Sequence, residues 1–325
     1  PNPEVLDEVV VVGYGTQKVT KVSGAISTVK SADIQRLSPV RIEQALQGSA
    51  SGVSVIQSGT PGSKPTLFIF CIPGLGADPA VIVDGIPQTL DDLNSINPAD
   101  IETVNVLKDA ASTSIYGVKG GNGVVLITTK TGRKNQKTEF VFNSSYGIQQ
   151  VIRKLPVLNA AQYGAMLNEG STLSGGNVIF PDLSILGKGT DWQDEVFKNA
   201  PEQNYNISAR GGSDKLSYFL AGGYLSQAGI VGGYNKSRFN RLNFTTNVNY
   251  NLTNKLKFTL NASYQNFNTK GVPSNSFNSV LGNALNFDPT VSKYNTVPNT
   301  IGEFGFSNLI TQEIQNPLTQ LSNTY

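Results

Sequence analysis

From residue 140 onward the sequence keeps a period of two, and this restricts the fold more than any other feature of the chain. Leu242, Phe244, Thr246, Val248 and Tyr250 alternate with Asn243, Thr245, Asn247 and Asn249. Leu256, Phe258, Leu260, Ala262 and Tyr264 alternate with Lys257, Thr259, Asn261, Ser263 and Gln265. Successive side chains of a strand point to opposite faces, so each segment carries one apolar face with aromatics near its ends and one polar face. Phe140 to Tyr146, Tyr205 to Arg210 and Leu216 to Tyr224 follow the same rule, giving five predicted antiparallel strands. A soluble sandwich and a membrane barrel both alternate, but their polar faces point to different places. Connection lengths separate them. Gly211 to Lys215 and Asn251 to Lys255 are short, whereas 149–202, 226–237 and everything after Asn266 are long. Short turns on one side and long loops on the other are the habit of outer-membrane barrels.

Composition excludes several chemistries. There is no histidine among the 325 residues, which removes Ser-His-Asp and Cys-His nucleophile systems and most zinc sites. No metal or cofactor site is expected. A net charge of +2 implies no nucleic-acid partner. The single cysteine, Cys71, sits in an apolar run and reads as a small buried hydrophobe. No run approaches the roughly 18 apolar residues of a membrane helix. The chain opens at Pro1 with no signal-peptide pattern, so it reads as a processed or excised piece of something longer.

The stretch from Pro79 to Lys130 has a different character. Ala80 to Val83 is a short β-branched run ending on the turn pair Asp84-Gly85. Asn97 can cap a short turn, with Pro98 at its first position and Asp100 near its positive end. Ile101 to Leu107 mixes apolar and polar residues as a half-buried strand does. Asp109 can N-cap a helix over Ala110 to Tyr116 that Gly117 stops, and Gly120, Gly121 and Gly123 release a last strand, Val124 to Thr129. The sum is a small α+β unit.

Three segments in this stretch carry a resemblance: Val83-Asp84-Gly85-Ile86-Pro87, Leu107-Lys108-Asp109-Ala110, and Asn122 to Lys130. With Ser114-Ile115-Tyr116-Gly117 between them, their order and spacing resemble the plug domain of TonB-dependent outer-membrane transporters, and within that family the SusC-like, glycan-importing branch. On this resemblance Val83, Asp84, Gly85, Leu107, Lys108, Asp109, Tyr116, Gly117 and Gly123 are plug-motif residues. The implied fold is an α+β plug domain followed by the first strands of an antiparallel transmembrane β-barrel, five of about 22. The implied division is 1–21 as TonB-box region, 22–130 as plug, 131–139 as linker, and 140–325 as the N-terminal part of the barrel with outer loops.

The remaining segments fit around this frame. Asp7, Glu8, Val9, Val10, Val11 and Val12 form a β-prone stretch that is either an ordinary first strand or, on the resemblance, the TonB box that adds as a strand to TonB. Val22 to Val29 reads as a strand, Ala32 to Arg36 as a turn capped by Ser31, and the residues after Pro39 as a helix with Ile42, Ala45 and Leu46 on one face, ended by Gly48 before a strand at Val53 to Ile56. Arg41, Glu43, Gln44 and Gln47 lie off that face and are expected to meet water or the barrel wall. Residues 59–78 depart from the family, whose alternating arginines are replaced here by the apolar run Thr66 to Gly76. A local lesion and a real divergence are both compatible with that run. The first long loop holds a helix-like piece, Ala160 to Leu167, and the lone Trp192. Trp192 is a loop-packing anchor by preference and a weak substrate-binding candidate by analogy with sugar stacking. Asp191, Asp194 and Glu195 are close in sequence, but acids in such a loop usually form a solvated face.

The resemblance implies import rather than catalysis. The expected activity is TonB-dependent uptake of nutrients, most simply oligosaccharides, across the outer membrane of a Gram-negative bacterium, with Bacteroidota as the source group. The implied partners are TonB with ExbB and ExbD, a SusD-like lipoprotein and outer-membrane lipid. A siderophore or cobalamin receptor and a non-transporting surface-binding β fragment are the alternatives. Five strands cannot close around a plug, and open edges in lipid leave backbone groups unpaired.

Overall fold

The computed structural model describes residues 9–12, 15–18, 26–37, 39–56, 59–69, 78–273, 278–296, 302–311 and 313–323. Asp7, Glu8 and Cys71 lie outside the described residues. The valine segment forms strand β1 (Val9–Val12), paired antiparallel with β2 (Gly15–Lys18) so that Val9 faces Lys18 and Val12 faces Gly15. One edge of the valine strand is therefore occupied by its own chain.

The α+β unit runs through β3 (Ile26–Lys30), α1 (Ser31–Leu37), α2 (Ile42–Leu46), β4 (Val53–Ile56), β5 (Thr66–Ile69), β6 (Ala80–Val83), β7 (Ile86–Gln88), β8 (Ile101–Leu107), α3 (Ala110–Thr113) and β9 (Val124–Thr129). Its main sheet has the order β3-β8-β9-β6-β7, with β4 and β5 as a separate hairpin. Among the described strands only β6 and β9 run parallel; the crossover between them carries β7, β8 and α3. The expected caps are in place. Asn97 accepts from Ala99 N at 3.1 Å, and Asp109 Oδ1 accepts from Ser112 N at 2.9 Å. Gly117 at φ 63° and ψ −150° breaks the helical path after Tyr116, as its place in the sequence implied. β7 was not anticipated. Pro87 falls within it, and proline is tolerated there because β7 is the sheet's last strand.

The core gathers Ile34, Ile42, Leu46, Ile101, Val104 and Val125. The apolar run after Lys64 also enters it as far as it is described: β5 pairs with β4, and Leu67 and Ile69 are buried. Of the two settings expected for Arg41 and Glu43, water is excluded: they are 3% and 0% exposed and ion-paired at 2.5 Å, while Arg41 borders a cavity that faces Gln149 and Gln227. The Arg41 guanidinium also donates to Leu90 O at 3.2 Å and to the Asn94 side chain. Its partners come from fifty residues downstream, so the local amphipathic pattern could not place it.

The five-strand sheet is an antiparallel meander of β10 (Gln136–Gln149), β11 (Ala200–Gly212), β12 (Leu216–Ala228), β13 (Arg238–Asn251) and β14 (Lys257–Lys270). β10 begins inside the stretch expected to be linker. Strands of 14 residues at about 3.3 Å each can cross a hydrocarbon layer of about 30 Å at a tilt. The sheet is inverted relative to a soluble protein. Leu220, Tyr224, Leu242 and Phe244 are exposed, whereas Ser217, Asn243 and Asn247 on the opposite face are buried against the α+β unit. A water-soluble sandwich would bury the other face.

The long connections lie at one end of this sheet. They carry α4 (Ala160–Leu173) and α5 (Trp192–Val196) before β11, α6 (Gly233–Lys236) before β13, and α7 (Val280–Asn286) and α8 (Pro317–Ser322) after β14. The helix expected to stop at Leu167 thus continues to Leu173. Trp192, Val196, Val280, Phe287, Leu318 and Leu321 form a second apolar core outside the sheet.

Candidate functional site at the plug and wall interface

β13 meets the α+β unit through every second residue. Arg241 Nη1 donates to three backbone oxygens, Val40 O at 3.3 Å, Asn94 O at 3.2 Å and Ile96 O at 3.1 Å. Asn243 Nδ2 and Thr245 Oγ1 both donate to Asp100 Oδ2, at 3.4 Å and 2.8 Å. Asn247 Nδ2 donates to Lys130 O at 2.7 Å. A period of two places all four on one face of a strand, so a single register fixes the whole row. The asparagines and threonine were legible as a polar face; Arg241, beyond the predicted end of that strand, was not.

β11 and β12 complete the contact. Asn206 Oδ1 accepts from Asn97 Nδ2 at 2.5 Å, and Arg210 Nη1 reaches Glu102 Oε2 at 3.3 Å. Between Asn206 and Asn243 the register places Gly223. A Cβ at Gly223 would lie 2.5 Å from Asn97 Nδ2 and 2.6 Å from Asn243 Oδ1, so any larger residue would push these amide ends aside. Burial raises the Asp100 carboxyl above its usual value, opposed by the Thr245 hydrogen bond and the charges of Lys130 and Arg241. Burial likewise lowers the Lys130 ammonium, whose Nζ donates to Ala99 O at 2.7 Å.

The motif residues build the unit that docks here. Asp84 at φ 49° and Gly85 at φ 85° form the two-residue turn joining β6 to β7, and positive φ at both positions is the I′ hairpin geometry. The Asp84 carboxylate accepts from Thr129 N at 2.9 Å and Thr129 Oγ1 at 2.6 Å, tying this turn to the end of β9. Val83 and Leu107 are core residues. Lys108 Nζ reaches Ser51 Oγ at 3.0 Å and also bonds Ser27 and the Ser51 carbonyl, and burial lowers its ammonium pKa. Tyr116 packs against the cluster of Ile82, Leu107, Val124 and Leu126. Gly123 at φ 89° passes under Ile69, where a Cβ would lie 2.9 Å from its Cγ2.

The outer-loop candidates take structural roles. Trp192 is 2% exposed, meets Phe287 edge-on at 5.0 Å, and donates its indole N–H to Asp288 O at 3.0 Å. That is the anchor geometry; the ring also borders a cavity of about 550 Å³ together with Tyr163, Met166 and Phe287. Asp191 caps α5 through Gln193 N at 2.9 Å, Asp194 pairs with Lys154, and Glu195 pairs with Lys293 at 2.6 Å.

The TonB-dependent Receptor Plug Domain model matches residues 18–124, which contain β3 to α3 of the docked unit. Over 301 residues the chain is 34% identical to TonB-dependent receptor SusC of Bacteroides thetaiotaomicron, an alignment covering 90% of this chain and 29% of SusC. The chain belongs to the SusC-like TonB-dependent receptors. It is also 40% identical over 235 residues to TonB-dependent receptor P26 of Formosa agariphila, covering 70% of this chain and 23% of that receptor. The RagAB peptide importer in its 'open-open' state superposes with a TM-score of 0.73 at 31% identity, covering 86% of this chain and 34% of the importer chain. This SusC-like chain therefore spans less than two thirds of the length of each of these relatives. Its α+β unit is the plug, and its five-strand sheet is part of the barrel wall.

Proposed function

We propose that the receptor containing this chain imports an organic nutrient across the outer membrane of a Gram-negative bacterium, without making or breaking a covalent bond in it. The observation that carries this reading is the inverted sheet. Its apolar face is exposed and its polar row, Arg241 to Asn247, holds a plug. Such a wall suits lipid outside and a gated, water-lined lumen inside. Energy would come through TonB, engaged by strand addition at Asp7 to Val12 and driven by ExbB and ExbD; among the described residues β1 is paired along one edge, which suits that mode. A SusD-like lipoprotein would cover the outer loops. Oligosaccharide is the leading substrate class from the SusC-like motif wording. Oligopeptide is the second, favoured by the likeness to an importer named for peptides.

The test uses the complete receptor in its host with labelled oligosaccharides and oligopeptides. Deleting residues 7–12 should abolish uptake of the correct class and leave surface binding intact. Uptake that survives the deletion, or binding without any uptake by the unaltered receptor, would contradict the reading.

A further inference from the structure

The plug is held to the wall unevenly. β13 bonds it directly through Arg241, Asn243, Thr245 and Asn247. Among the described residues no β10 side chain hydrogen-bonds the plug; Thr138 and Gln149 bond Tyr218 and Glu202 of the wall instead. Cavities fill the space in front of β10. One of about 330 Å³ lies between α1 with Lys130 on the plug side and Glu139, Asn143 and Arg210 on the wall. A second of about 170 Å³ adjoins it, bordered by Asn97, Ser144 and Asn204, and the two share Gln35, Ala99, Asn143 and Asn206. A third of about 190 Å³ lies at the end of β10 nearest the long loops, between Gln149 and Gln227 of the wall and Arg41, Gln44 and Thr60 of the plug. From Glu139 to Gln149 a strand rises about 33 Å, close to the thickness of a bilayer's hydrocarbon core.

We infer that substrate passes the plug along this seam between α1 and β10, opened by displacement of α1 while the plug segment 94–100 stays fixed on β13. The deduction rests on the import reading above. Opening the β13 side would strand the Val40, Asn94 and Ile96 carbonyls and the buried Asp100. Among the described residues, opening the β10 side breaks no β10 side-chain hydrogen bond to the plug. α1 buries one side chain among those described, Ile34. The lining favours a particular cargo. Gln35, Asn97, Asn143, Asn204 and Asn206 are uncharged amides that both donate and accept, suited to neutral solutes rich in hydroxyls or amides. The charged end mixes Glu102, Lys130, Glu139 and Arg210, so it presents no single sign to trap an ion.

Two bridges across the interface test this in the complete receptor carrying Cys71→Ser. One joins Gln35→Cys to Asn143→Cys with a short bifunctional maleimide. The other joins Ser95→Cys to Gln265→Cys on the fixed side, where the 92–95 turn packs beside β14. The seam bridge should cut uptake about ten-fold or more, equivalent to about 1.4 kcal/mol on the transport barrier, while surface binding persists. The fixed-side bridge should leave uptake within about two-fold of the unbridged variant. Undiminished uptake with the seam bridge, or equal loss with both, overturns the route and spares the import reading. Absence of uptake by the unbridged receptor overturns the import reading and the route with it.

Discussion

Replacing Arg241 with methionine tests how the plug is held. The side chain is 2% exposed, and its Nη1 serves the Val40, Asn94 and Ile96 carbonyls. Methionine keeps a similar reach and removes every donor, leaving three carbonyls facing apolar atoms. One nitrogen carries two hydrogens, so the row amounts to two full bonds to a charged donor, each worth about 1.5–3 kcal/mol. Removing the cation also relieves the cost of burying it, which offsets part of that loss. The expected net effect is about 3 kcal/mol, or a factor of about 100 in the equilibrium between docked and released plug segment. Amide hydrogen exchange on the complete receptor in detergent reads this directly in peptides covering residues 92–101. Arg241→Met should speed exchange there about 100-fold, and Arg241→Lys by less, because an ammonium on a flexible stem replaces the planar fork. Exchange that stays within about three-fold of the unaltered receptor would refute the assignment of Arg241 as the main tie.

Three further outcomes follow from the same geometry. Gly223→Ala should push Asn97 off Asn206 and cost about 1–3 kcal/mol of plug docking, seen as faster proteolysis in the 131–135 connection. Asp100, whose carboxyl is raised above 3.8 by burial, holds its proton to higher pH when docked than when free, so docking should weaken as pH rises from 3.8 through the raised value; the melting temperature measured against pH should show that slope and lose it in Asp100→Asn. Trp192→Ala should cost the outer-loop core about 3–5 kcal/mol, raising exchange around Val280 to Phe287 while leaving 92–101 unchanged.

The five wall strands were legible because a half-lipid, half-plug environment enforces alternation along each of them. Their ends were not, because the outer halves interrupt the pattern: Phe239 and Leu225 turn inward onto Val40 on the face that is polar lower down. In the plug, Asn97, Asp109, Gly117 and Gly48 announced element boundaries through local chemistry, and each boundary fell where that chemistry placed it. What escaped depended on distant partners. Arg41 precedes and Glu43 opens a five-residue helix, and the Arg41 guanidinium finds its partners at Gly62, Leu90 and Asn94, far along the chain. Asp100 could be read as a residue near a helix start, but not as the acceptor for Thr245, 145 positions away. The helices α7 and α8, of seven and six residues, are too short to show a clear period in a polar tail, and only their caps, Ser279 and the Asn316-Pro317 pair, mark them in the sequence.

The orientation of the wall is the claim on which the rest depends, and lipid quenching tests it most directly. A single tryptophan replaces Phe244 or, one residue along the same strand, Thr245, in the complete receptor reconstituted into bilayers with brominated acyl chains. Other tryptophans are removed. With Phe244 facing lipid and Thr245 facing the plug, the Phe244→Trp emission should be strongly quenched and the Thr245→Trp emission spared. Equal quenching at both positions, or quenching at Thr245 alone, would contradict an apolar face in lipid and a polar face on the plug.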